Sequence, residues 1–288
     1  MTDKTSKGRV LITGGAAGIG LCTAREFARA GYDLVLTDIN SAALEAAARE
    51  LRGTGARVEI RAMDVSDRAA VQDLATWVIA DLGGLDVLIN NAGVGYSGEI
   101  AETDHAQWER LLAINFWGPI HHIEAFLPHM RERGAGRIVN VSSGQAFFRL
   151  PTWGAYAAIK LALGAVSELL SYEVAKYGVG VTTVYPFMVN TGFYSDVKTE
   201  TMMQRLSMKL VPWYSHKPET VARMIFKAVT RGKRVEMVSV LNRVMLHVRA
   251  LPLAPGAITR IATWLLAKSA DKSADKSADK SAKAGAAA

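Results

Sequence analysis

Residues 13–20 read Thr13-Gly14-Gly15-Ala16-Ala17-Gly18-Ile19-Gly20. They close a short apolar run at 10–13 and open onto a helical pattern at 21–30, and a second apolar run at 34–37 ends in Asp38. Strand, glycine turn, helix and strand in this order make a phosphate cradle. Glycines let the backbone turn sharply and come close to a bound anion, whose charge is stabilised by the free amides and positive end of the helix. A glycine turn alone also serves ordinary tight turns, so the elements on either side carry the inference.

Working outward, the alternation continues. Helical patterns occupy 41–51, 66–81 and 156–177, with Ser66 as the expected cap of the second. Strand patterns fall at 57–62, 85–89, 137–141, 181–185 and 235–240. Short apolar strands alternating with helices predict an α/β fold: a doubly wound parallel sheet, helices on both faces, in a single domain. Ligands in such sheets bind beyond the carboxyl ends of the strands, so the residues following each strand are the ones to search.

The 288 residues are 50% hydrophobic and 21% charged, which excludes a disordered chain, and 25 Gly with 8 Pro excludes a collagen-like one. The single cysteine, Cys22, excludes an internal disulfide framework and a cysteine-rich zinc site, and suits a reducing cytosol. His121, His122 and His129 lack a ligand spacing, so no metal is expected. The net charge of +7 is a modest excess, and no nucleic-acid partner is expected. Neither the N-terminal residues nor the interrupted apolar stretch near the C-terminus predicts a signal peptide or a membrane span.

Asp38 stands where a carboxylate can accept hydrogen bonds from both hydroxyls of an adenosine ribose, although a helix-capping role fits the same place. Its charge repels a 2′-phosphate, and Ala17, Ile39 and Asn40 offer no cation to receive one. NAD is therefore expected over NADP. Tyr156 and Lys160 are four apart on a helix and share a face, and an ammonium beside a phenol favours the phenolate. Such a phenolate can take an alcohol's proton while hydride leaves the carbon. Ser143, at the end of a strand, can hold the same substrate oxygen.

Residues 13–20, Asp64-Val65, Asn90-Asn91-Ala92-Gly93, Asn115, Ser143 and Tyr156 with Lys160 together resemble the short-chain dehydrogenase/reductase family in order and spacing, from about residue 9 to residue 240. The resemblance implies a Rossmann-like fold and a set of catalytic residues: Asn115, Ser143, Tyr156 and Lys160. Asn115 would support a water chain to Lys160, and Lys160 would also touch the nicotinamide ribose. Ser143, rather than its neighbour Ser142, has the family spacing to Tyr156. Dinucleotide contacts are implied for Gly14, Ala17, Gly18, Ile19, Gly20, Asp38, Asp64, Val65, Asn91, Ala92, Gly93, Pro186, Val189 and Thr191, besides Tyr156 and Lys160. Asp38-Ile39-Asn40, Ala125-Phe126-Leu127-Pro128-x-Met130 and the ending Val189-Asn190-Thr191-Gly192 are similar to the retinol and 17β-hydroxysteroid dehydrogenase branch. Phe187 departs from the family's usual Gly after Pro186.

Residues 188–217 are expected to lid the site. Phe193, Tyr194, Met202, Met203, Met208, Trp213 and Tyr214 make that lid apolar, and Phe147, Phe148 and Trp153 could line the same pocket. A lipophilic substrate follows, such as a steroid, retinoid or fatty-chain alcohol. The catalytic domain is expected over 9–240, after a lead at 1–8. A basic, apolar extension spans 241–267 and a disordered Lys-Ser-Ala-Asp repeat spans 268–288. The extension suits packing in a homodimer or homotetramer, with peripheral contact to an anionic membrane as the alternative. Other readings of the chain are a 3-oxoacyl-carrier-protein reductase and a non-catalytic cofactor sensor or scaffold.

Overall fold

Successive side chains of a strand point to opposite faces, so the unbroken apolar run Val10-Leu11-Ile12 demands cover on both sides of its sheet. The computed structural model, which describes residues 6–189 and 215–248, supplies that cover. Its strands are β1 (Arg9–Thr13), β2 (Asp33–Asp38), β3 (Val58–Ala62), β4 (Val87–Asn90), β5 (Gly136–Val141), β6 (Val179–Tyr185) and β7 (Val235–Met237). They form one sheet in the order β3-β2-β1-β4-β5-β6-β7, with every neighbouring pair parallel. The described helices are α1 (Gly18–Arg29), α2 (Ser41–Arg52), α3 (Arg68–Ala80), α4 (His105–Leu112), α5 (Gly118–Glu132), α6 (Gly154–Val174), α7 (Pro218–Thr230) and α8 (Val240–Val248).

The two faces have separate cores. Val10, Ile12, Leu34 and Leu36 pack with Phe27 of α1, Leu44 of α2 and Val221 and Ile225 of α7. Leu11 and Val35 point the other way, to Leu74 and Val78 of α3 and Phe126 of α5. The expected doubly wound sheet in a single domain is the one found. Strand order reverses between β1 and β4, so the carboxyl ends of these two strands splay around a crevice. α6 is the one described helix long and apolar enough to cross a membrane, and burial of Ile159, Leu163 and Val174 against the rest of the fold accounts for that composition.

Most element boundaries shift by one to three residues from the sequence reading, and three of the differences have a clear physical reason. The predicted strand at 235–240 stops at Met237, because β6 ends at Tyr185 and Pro186 has no N–H with which to continue the ladder; Val240 then opens α8. α3 is capped by Asp67, whose Oδ1 accepts from the amides of Ala69 at 2.9 Å and Ala70 at 3.1 Å. Ser66 instead gives its hydroxyl hydrogen to Asp64 at 2.7 Å. α1 begins at Gly18, so the last glycines of the turn already belong to the first helical turn.

Candidate functional site

The glycine turn is shaped by contacts that exclude side chains. Gly14 has φ +64, and a Cβ on Gly20 would collide with the Gly14 carbonyl oxygen. Asn91, just past β4, holds the turn from across the crevice: its Nδ2 donates to the carbonyls of Thr13 at 2.9 Å and Gly14 at 3.2 Å. Thr13 replies through its hydroxyl oxygen, which accepts from the amides of Asn91 and Ala92, both at 3.0 Å. The residue before α1, Ala17, has no side-chain oxygen, so the first amides of the helix keep their hydrogens for a ligand. These features fit the pyrophosphate of a dinucleotide.

Asp38 ends β2 at the rim of the same cleft. Its Oδ2 accepts from the Ala16 amide at 3.1 Å and its Oδ1 from the Asn40 amide at 3.0 Å. Capping of α2 falls to Asn40, whose side chain accepts from the Ala43 amide at 3.0 Å. That excludes Asp38 as the cap and leaves its carboxylate to hold the turn after β1 and face the cleft.

At the other end of the cleft α6 places Tyr156 and Lys160 one turn apart. Both are buried, and the Lys160 Nζ lies 6.0 Å from the centre of the Tyr156 ring. The ammonium donates to the Val141 carbonyl at 3.0 Å. Burial alone pushes its pKa down from 10.5 to about 8, so the amine keeps its positive charge at neutral pH. Asn115 sits in a single π-helical turn, Ala113–Trp117, between α4 and α5. Its side chain is tied to Val94 twice, accepting from the amide at 3.2 Å and donating to the carbonyl at 3.0 Å. A Cβ on Gly93 would stand 2.7 Å from Asn115 Oδ1 and 3.3 Å from Lys160 Nζ, so these three residues meet at one point.

The two serines after β5 divide cleanly. Ser142 gives its hydroxyl hydrogen to the Lys160 carbonyl at 2.7 Å and is a structural strut. Ser143 accepts from the Gln145 amide at 3.2 Å, which leaves its own hydrogen to be donated into the cleft it lines. Ser143, Tyr156 and Lys160 share that cleft with Gly14, Ala17, Gly18, Ile19, Asp38, Asn91, Ala92, Gly93, Pro186 and Val189. Gly20 supports it from within the turn. Asp64 and Val65 follow β3 but do not line it: Asp64 holds Ser66, and Val65 packs on Gly118. Thr191, the apolar positions 193–214, the rest of the extension beyond residue 248 and the repeat tail lie outside the described residues.

Phe187 also lines the cleft and packs edge to face on Phe148, with centroids 5.4 Å apart. Trp153 and Met188 line it as well. Phe147 does not: it packs into the core against Tyr185 and Met237. His122 is buried with Nδ1 donating to the Gly118 carbonyl at 2.8 Å, and burial pushes its pKa down to about 4. His121 stacks on Trp117, so each of these histidines has a packing role.

Some residues of the site escape a reading of local sequence. Gln145 lines the cleft two positions after Ser143. Asn242 of α8 lies fully buried against the turn after Ser143, and a Cβ on Gly144 would overlap its amide group. Asn90 and Asn140, opposite each other in the β4 and β5 register, are joined at 2.8 Å, and Asn140 passes the chain on to Ser167 of α6 at 2.8 Å. The one signal available for this pair is a polar residue closing an otherwise apolar strand.

A family model described as short chain dehydrogenase matches residues 8–201. The probable oxidoreductase EphD of Mycobacterium tuberculosis is 35% identical over 240 residues, which are 80% of this chain and 40% of that protein. The chain thus spans less than half the length of that relative. A short-chain dehydrogenase/reductase from Burkholderia phymatum, solved in complex with NAD, is 27% identical, with a TM-score of 0.79 over 85% of this chain and 93% of that one. An alcohol dehydrogenase from Thermococcus sibiricus, complexed with 5-hydroxy-NADP, is 26% identical, with a TM-score of 0.69 over 80% and 94% of the two chains. Glycine turn, Asn91 clamp and the Ser143, Tyr156 and Lys160 cleft agree with these likenesses: the chain belongs to the short-chain dehydrogenase family.

Proposed function

We propose that this chain is an NAD-dependent dehydrogenase that interconverts a lipophilic alcohol and its ketone or aldehyde. The observation that carries the reading is the buried, charged Lys160 one helical turn from Tyr156 at the cleft floor. Its field favours the phenolate of Tyr156. Ser143 donates its hydroxyl hydrogen to the substrate oxygen, and Tyr156 takes that oxygen's proton as the carbon gives up its hydride. In the reverse direction Tyr156 returns the proton to the carbonyl oxygen. A bound nicotinamide dinucleotide supplies the hydride acceptor. Asn115, which meets Lys160 at Gly93, supports a water chain that links the lysine to solvent. Gly14, Ala17, Gly18, Ile19 and Gly20 hold the pyrophosphate, Asn91, Ala92 and Gly93 the adenosine side, and Pro186, Val189 and Thr191 the nicotinamide side.

Asp38 supports NAD over NADP, since its carboxylate at the cleft rim would hold the ribose hydroxyls and no cation at Ala17, Ile39 or Asn40 would receive a 2′-phosphate. Trp153, Phe187 and Met188 support a lipophilic substrate of the steroid, retinoid or fatty-chain kind, as expected for the retinol and 17β-hydroxysteroid branch. Exposed Leu112, Trp117 and Leu161 in the α4 to α6 layer support a homodimer or homotetramer. The lone Cys22 suits the cytoplasm.

The test is initial-rate NADH formation on steroid, retinoid and long-chain alcohols, with NADP in parallel and Tyr156→Phe as the blank. Wild type is expected to turn over at least one class with NAD, and Tyr156→Phe to lose at least about a hundredfold in rate while still binding the dinucleotide. Equal rates for the two proteins, or silence on every alcohol and matching ketone, would overturn the reading.

A further inference from the structure

Gln145 lies two residues beyond Ser143 on the short turn Gly144–Ala146, lines the cleft, and is 5% exposed. Its Oε1 accepts from the Leu150 amide at 3.1 Å. Only the oxygen of a side-chain amide can accept from an N–H, so this bond fixes which end of the group faces Leu150 and turns the NH2 the other way. Among the described residues no acceptor answers the two Nε2 hydrogens, and Nε2 is not one of the sealed, unpartnered polar atoms of the interior. The backbone of Gln145 meanwhile donates to Ser143 Oγ at 3.2 Å. One rigid turn therefore presents two donors to the cleft, the Ser143 hydroxyl and the Gln145 amide. The surrounding wall is apolar at Trp153, Phe187 and Met188, so a donor placed there selects strongly among substrates.

We propose that Gln145 determines substrate specificity by donating a hydrogen bond to a second oxygen of the substrate, carried on one of the two carbons beyond the reacting carbinol. The inference rests on the dehydrogenase reading above and narrows its substrate class to lipophilic alcohols with a nearby acceptor oxygen, such as 3-hydroxyacyl esters, in place of plain alkanols. A plain alkanol leaves the amide hydrogens without an acceptor inside an apolar pocket, whereas the oxygenated substrate satisfies them.

The experiment compares methyl 3-hydroxyoctanoate with 2-octanol as substrates of the full chain with NAD, in wild type, Gln145→Glu and Gln145→Met. Glu keeps an oxygen for the Leu150 amide and so preserves the turn, but it presents an acceptor where Gln presents a donor. Met removes the donor without adding charge. The expected result is a wild-type preference for the hydroxy ester in kcat/KM that falls by about tenfold in both variants, mainly through KM of the ester. A ratio that stays within about twofold in both variants, including equal losses on the two substrates, would overturn the inference and leave Gln145 a structural residue. Wild-type turnover of 2-octanol with none of the ester would overturn it as well. Tyr156-independent or absent turnover of both substrates would instead overturn the dehydrogenase reading, and this inference with it.

Discussion

Replacing Lys160 with Met is expected to make the ligand-free protein more stable at neutral pH while abolishing turnover. The folded protein holds the ammonium in a site where its pKa is about 8 against an ordinary 10.5, which corresponds to about 3 kcal/mol spent on keeping a charge buried. Met fills nearly the same volume without the charge. It leaves the Val141 carbonyl without the ammonium that donates to it at 3.0 Å, a loss of about 1 kcal/mol. The net gain at pH 7 is about 2 kcal/mol, a rise in melting temperature of several degrees for a chain of this length. Between pH 8 and 10.5 the unfolded chain still binds the proton that the folded one has released, so wild-type stability rises with pH across that window. At pH 9.5 wild type has recovered about 2 kcal/mol, and the two proteins should match. Urea melts of both at pH 7 and pH 9.5, with a rate assay alongside, measure this. A Lys160→Met protein less stable than wild type at pH 7, or a stability gap unchanged by pH, would refute the reasoning.

Three further outcomes follow from the same geometry. Asp38→Ala removes the carboxylate at the rim and should narrow the ratio of NAD to NADP use by about tenfold or more, read from kcat/KM with each dinucleotide; an unchanged ratio would place discrimination elsewhere. Gly20→Ala forces a methyl group into the Gly14 carbonyl and should cost about 2 kcal/mol of stability in a urea melt, together with dinucleotide binding by titration. His122, neutral in the fold with its pKa near 4, leaves the unfolded chain the better proton binder from pH 6.5 downward, so stability is lost as pH falls through that range. His122→Gln should flatten the acid limb of the stability profile by about 3 kcal/mol between pH 6.5 and 4.

Most of the fold was legible because a buried parallel strand writes itself as an unbroken apolar run, as at Val10-Leu11-Ile12, and the glycine turn after it admits few alternatives. The error at residues 235–240 has another cause. Val235-Glu236-Met237-Val238-Ser239-Val240 carries no turn residue that would mark an end, and only the end of β6 at Tyr185 decides that the strand stops at Met237. Helix α7 carried a readable signature in Pro218 at its first turn and in Val221, Ile225 and Val229 on one face. The site was legible where neighbours in sequence act together, as Tyr156 and Lys160 do on one helix. It was illegible where chain distance hides contact. Asp64 and Val65 follow a strand as a ligand-binding pair should, yet β3 is the outermost strand and they stand away from the crevice. Gln145 carries no signal in the local sequence, since only its bond to Leu150, five residues on, fixes which way its amide points.

The seating of Asn242 over Gly144 ties two positions almost a hundred residues apart into one unit of inheritance. Neither can drift alone: a methyl group at 144 displaces the asparagine, and the asparagine brings α8 down onto the turn that carries Ser143. Among descendants of this chain, a side chain gained at 144 should arrive together with a smaller residue at 242. Lineages that rebuild the segment after β7 are the ones released to carry alanine or serine beside Ser143.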